Sequence, residues 1–191
     1  FEARSGGGIT DSGVITVAGT SLFNSDVSGQ VITLDSVNAM AGAVSITHTG
    51  AANVEIDNGT TALNLGTISV GKDFSATSGG AITDSGVITV AGTATFVTDV
   101  NDIDIVLDSD NAITGALTFT TQTSGSTNGA DITFDNGSTA ISLAAFTTEG
   151  DLTLKTDAAI ALTGHTGNGD RTVTRAAAIS QSAALTVSAT S

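Results

Sequence analysis

Apolar and polar residues alternate in short stretches along most of the chain. Ile15 and Val17 flank Thr16, Ile32 and Leu34 flank Thr33, Val44 and Ile46 flank Ser45, and Val54 and Ile56 flank Glu55. Alternation with period two puts the aliphatic set on one face of a β-strand and Thr, Ser and Glu on the other. Asp57-Asn58-Gly59 and Asp135-Asn136-Gly137 punctuate the pattern as turns. Asn and Asp bond nearby backbone there, and Gly accepts positive φ. No stretch of useful length spaces apolar residues three and four apart, so helices are not expected.

The blocks recur. Phe1–Thr47 returns without a gap as Phe74–Thr120, an offset of 73, with 29 of 47 aligned positions identical. Val54–Leu65 returns as Ile132–Leu143 at an offset of 78, because Thr121–Asn128 carries a five-residue insertion. Ala177–Val187 echoes Gly80–Val90 at an offset of 97, which leaves room for one extra coil over about 155–175. The chain therefore reads as a single solenoid segment: repeat 1 over 1–73, repeat 2 over 74–176, and the start of repeat 3 over 177–191.

Stacked parallel coils accommodate such blocks, whereas an antiparallel sandwich does not require them. Glycines 19, 42, 71 and 92 lie 23, 29 and 21 residues apart, and each interval is read as one coil. This predicts a parallel β-solenoid of about eight coils of roughly 21–29 residues, about 40 Å long at the usual strand spacing. Phe23, Ile32, Leu34, Val44, Ile46, Val54 and Ile56 are expected to point inward. Their mates Phe96, Ile105, Leu107, Leu117, Phe119, Ile132 and Phe134 are expected to do the same, each pair sharing its position in the coil.

Composition agrees with an all-β chain. Hydrophobic residues make up 40% and charged residues 13%, which disfavours disorder, and Pro, Cys, Trp and Tyr are absent. Nineteen acidic residues against five basic ones give a net charge of −14. Such a surface repels nucleic acid and anionic membrane, and no apolar run is long enough for membrane insertion by a helix.

Gly80–Phe96, followed by Ile105–Leu117, resembles the repeats of filamentous-haemagglutinin-like giant bacterial exoproteins, including two-partner-secreted adhesins. The resemblance implies a right-handed parallel β-helix, an extracellular or cell-surface location, and a part in adhesion, biofilm or filament formation. It carries over no binding residue. The leading expectation is a structural or adhesive rod and not an enzyme. The rivals are a carbohydrate-active β-helix enzyme and a Ca²⁺-dependent extracellular matrix protein. Expected partners are neighbouring copies or adjoining repeats end to end along a filament, and host or cell-surface glycans. Phe1 aligns with Phe74 partway through a coil, and Val187–Ser191 matches Phe74–Ser78, so the terminal coils are expected to abut further coils.

Candidate chemistry is sparse. Asp99, Asp102, Asp104, Asp108 and Asp110 crowd one strand–turn–strand region, and only Asp99 and Asp108 have counterparts, Asp26 and Asp35. A solvated outer face outranks catalysis, and no catalytic residue is assigned. Ca²⁺ is the one cofactor such carboxylates could hold, although neither the EF-hand nor the nonapeptide pattern is present. Asp11 and Asp84 occupy identical Thr-Asp-Ser-Gly turns, and Asn38, Asn111, Asn58 and Asn136 recur as turn or internal ladders. His48 lacks a neighbouring ligand. Lys155, His165, Arg171 and Arg175 gather in the extra coil. Lys155, Arg171 and Arg175 could dock an acidic neighbouring chain or an anionic glycan. Arg171, Val173 and Arg175 share a strand face, and unpaired arginines do not enter an apolar core. That face is expected outside, with Val173 exposed. Thr118–Thr123 suggests an ice-binding array, but its counterpart Ser45–Thr49 breaks the pattern.

Overall fold

In a computed structural model, the structure describes residues 1–48, 50–122, 129–175 and 177–187. The five-residue insertion near Thr121–Asn128 and the tail after Val187 fall mostly outside them. Among the described residues the chain is all-β, with twenty-five short strands and no helix. The strands pair in parallel, coil upon coil. On one side Ile9, Ile32, Val54, Phe74, Ala94, Leu117, Leu143 and Leu162 stack in register, so a coil takes 19 to 26 residues. Nine strands share that sheet, giving about nine coils where eight were expected. Glycine spacing misjudged the coil because Gly42 does not lie under Gly71. Gly42 packs on the backbone of Gly19, and Gly71 on that of Gly50.

The core is the set of inward columns. All fourteen residues expected to point inward are buried, none more than 1% exposed. β-Branched and aromatic side chains fill the interior because each strand's alternation matches the column below it. A phenylalanine run rises through the nine-stranded side, the second in chain order: Phe74 to Phe96 at 6.0 Å between ring centroids, then Phe96 to Phe119 at 5.7 Å. On the third side Leu63, Ile82, Ile105, Ile132 and Leu152 form a column of their own. The long strand Leu63–Val70 feeds two sides: Leu63 starts this column, while Ile68 stacks over Ile46, Phe23 and Ala3 on the first side in chain order.

Repeat mates point inward but do not share a side. Ala3, Phe23, Ile46 and Ile68 stack, so Ile68 lies three coils above Ala3 and 65 residues after it. The mate of Ala3 at the 73-residue offset is Ala76, eight residues beyond Ile68, which is one strand and one corner further round. Phe23 accordingly lies in the eleven-stranded sheet and Phe96 in the nine-stranded one. Sequence identity fixes what a segment does locally. The side it occupies depends on how many residues each coil consumes, and 73 is not a whole number of coils.

The third copy departs from this rule. Ile82 lies on the third side, whereas its mate at the 97-residue offset, Ile179, lies in the nine-stranded sheet that also contains Ile9 of the first copy. The extra chain in repeat 2 thus returns the third copy to the sheet of the first copy's Ile9.

Candidate functional site

Solenoid corners must satisfy backbone groups that no strand partner reaches, since a buried unpaired N–H or C=O costs about 1–3 kcal/mol. The asparagines do this. Asn58 is fully buried; its Oδ1 accepts the Met40 N–H at 2.9 Å and its Nδ2 donates to the Met40 carbonyl at 3.1 Å. The side-chain amide stands in for the peptide of a missing strand. Asn136 repeats the device on Ile113, accepting from its N–H at 2.9 Å and donating to its carbonyl at 3.0 Å. The following glycines sit at φ of 54° and 51°, a left-handed turn that favours Gly, and their N–H groups bond the Asp57 and Asp135 carboxylates, each at 2.8 Å.

Asn38 and Asn111 form the other corner pair. Asn111 accepts the buried Ile88 N–H at 2.8 Å and donates to Asp84 at 2.8 Å; Asn38 accepts the Ile15 N–H at 2.7 Å and donates to Asp11 at 2.7 Å. Asp11 and Asp84 therefore do more than close local turns. Their carboxylates bind the coil above, Asp11 through Ser36 and Asn38, Asp84 through the N–H groups of Asp108 and Ser109 and through Asn111. Burial raises the Asp84 carboxyl above its ordinary value, and the hydrogen bonds from Asn111, Ser109 and Asp108 oppose the rise.

The five carboxylates singled out for calcium divide between two corners of one coil, separated by the strand Ile105–Leu107. Asp99, Asp102 and Asp104 precede it, and Asp108 and Asp110 follow it. Asp104 Oδ1 accepts the Asp131 N–H at 2.8 Å, the first step of a staircase in which Asp131 accepts from Asp151 and Asp151 from Asp170, both at 2.7 Å. Asp102 takes a left-handed φ of 59°. Asp110 lines a shallow polar recess with Ser138, Thr139 and Asp157. Among the described residues no three His, Asp or Glu side chains are placed to hold one metal ion. The staircase went unseen in the sequence, although Gly-Asp at 150–151 and 169–170 recurs at coil spacing.

The basic residues do not form one outer patch. Lys155 is exposed and paired with the buried Asp135, which raises the lysine's pKa by hydrogen bonding and charge. Contrary to expectation, Arg171 and Val173 occupy the inward face: Arg171 stacks over Leu152, Val173 over Leu154 and Arg175 over Thr156. Val173 is half-buried against the core and Arg175 is exposed. Register with the strand below decides the face, because a one-residue slip would take Val173 off Leu154 and put a threonine there. Arg171 escapes sideways instead. Its Nη1 donates to the carbonyls of Gly150, Gly169 and Asp170 at 2.9–3.0 Å, and a Cβ on Gly167 would collide with Nη2. Beside it, His165 is buried against Phe146. His48 is buried too, its ring nitrogens meeting the carbonyls of Gly50 at 3.1 Å and of Gln30.

The family described as "Repeats of unknown function (DUF5649)" matches residues 1–47, 51–120 and 149–191. The chain belongs to that family. The first DUF5649 stretch contains the Asp11–Asn38 corner, and the second contains Asn58 and the Asp84–Asn111 corner. The third begins within the span of Asp104–Asp170 stairs and includes the coil of His165 and Arg171. No curated protein and no solved structure matches the chain.

Proposed function

We propose that this DUF5649 segment is a structural rod of a bacterial surface or secreted filament, serving adhesion or assembly and performing no catalysis. The reading rests on one observation: inward columns run through about nine coils, while the recurring Asn and Asp side chains are spent on joining each coil to the next. The carboxylates that an enzymatic β-helix would converge in a groove are split between corners, and Asp104 is bonded into the staircase. A net charge of −14 keeps such a rod soluble and directs it towards neutral or cationic partners. Adjoining repeats would continue the ladder end to end, and surface glycans are the expected adhesive ligands.

Atomic force microscopy of tandem copies tests the rod: contour length should grow by about 4.8 Å per added coil. Particles that stay globular as copies are added would refute it. Glycan-array binding tests the adhesive part, and turnover of any glycan, lost on changing Asp99, Asp102 and Asp104 together, would favour the enzyme instead.

A further inference from the structure

The extra coil contains a buried histidine that the rod itself does not use. His165 is 4% exposed, and its ring lies 4.3 Å from that of Phe146, centroid to centroid. Neither ring nitrogen has a partner at hydrogen-bond geometry. On the next strand Arg171 is half-buried, with Nε and Nη2 unpartnered. Arg171 is the charge that acts on the ring, while Asp151 and Asp170 act on Arg171. The strands above and below, Leu185–Val187 and Phe146–Thr148, contain no charged residue, and neither do Ile160–Leu162 and Ile179–Gln181 alongside. Glu149 follows the lower strand, and Lys155 and Arg175 lie on the strands Leu152–Thr156 and Arg171–Arg175.

We propose that this coil is an acid-sensitive joint: protonating His165 puts a second cation beside Arg171 in an apolar layer and opens the strands His165–Gly167 and Arg171–Arg175, while the coils below stay closed.

The physics is a competition for one proton. Burial and the Arg171 charge hold His165 at about 4, against an ordinary 6.5, with a weaker opposing contribution from the Phe146 backbone. An opened coil returns the ring to its ordinary value. Between those limits the open form binds more protons, so the closed coil loses stability as pH falls through the window. The closed-to-open ratio drops by up to about tenfold per pH unit there. Opening stays local because each coil in a solenoid contacts only its neighbours.

Amide exchange of the full chain, corrected for the intrinsic effect of pH on exchange, tests this. From pH 7 to about 4.5, protection over 160–175 should fall at least about tenfold while that over 44–98 changes less than about twofold. His165→Phe, which keeps an aromatic ring against Phe146, should abolish the difference. Unchanged protection, an equal loss along the whole rod, or the same loss in His165→Phe would overturn the proposal. Should that variant fail to fold, the imidazole titration of the unaltered chain decides. A midpoint below about 5 supports the joint, and one near 6.5 with the coil still protected refutes it.

Discussion

Replacing Asn111 with alanine tests the idea that corner amides substitute for missing strand partners. Asn111 is 1% exposed and serves three groups: the Ile88 N–H at 2.8 Å, the Asp84 carboxylate at 2.8 Å and, more distantly, the Leu107 carbonyl at 3.4 Å. Alanine leaves the Ile88 N–H buried without an acceptor, at about 1–3 kcal/mol, and removes one charge-assisted bond from Asp84, about 1.5–3 kcal/mol. The two effects share a site, and a water entering the gap recovers part of each, so the expected loss is about 3–4 kcal/mol. That is a large fraction of a typical domain's 5–15 kcal/mol. The chain has no Trp or Tyr, so urea unfolding is best followed by far-UV circular dichroism. A double-mutant cycle with Asp84→Ala should give a coupling above about 0.5 kcal/mol, because the residues share a hydrogen bond. Thr95→Ala, on the outward face of the second side, should stay within about 0.5 kcal/mol. An Asn111→Ala loss under about 1 kcal/mol, with no coupling to Asp84, would refute the reasoning.

Phe96→Ala should lower stability by about 3–5 kcal/mol, since the ring is fully buried between Phe74 and Phe119; an unchanged urea midpoint would place it outside the core. Gly115→Ala should destabilise the rod by more than about 1 kcal/mol, because a Cβ there would strike the Gly92 carbonyl, whereas Gly13→Ala meets no atom; equal Tm values for the two would contradict that packing. Millimolar Ca²⁺ should leave Tm unchanged, given carboxylates split over two corners, and a rise reversed by chelator would reveal a cation site.

The parallel solenoid and its inward columns were legible because period-two alternation and near-identical blocks both survive without coordinates. Ile32 and Leu34, or Ile105 and Leu107, could face only one way. The side of the rod was not legible, because it depends on residues consumed per coil, and glycines mark corners that are not all equivalent. Arg171 shows a second limit. Charge argued for an outward face, yet the column of Leu152 and Leu154 set the register, and nearby glycines opened a route out for the guanidinium. Asp11 and Asp84 looked like local turn residues, since nothing in a linear motif reveals a partner in the coil above.

In the proposed array, the change of side between the first two repeats would govern how a multivalent partner is engaged. Equivalent patches on neighbouring repeats face different directions, so a rigid two-headed ligand cannot seize both from one flank, and the gain in avidity depends on a linker long enough to wrap the rod. Identical sequence thus yields radially spread valency. In the proposed adhesive role, such a rod would present its partner sites on more than one flank.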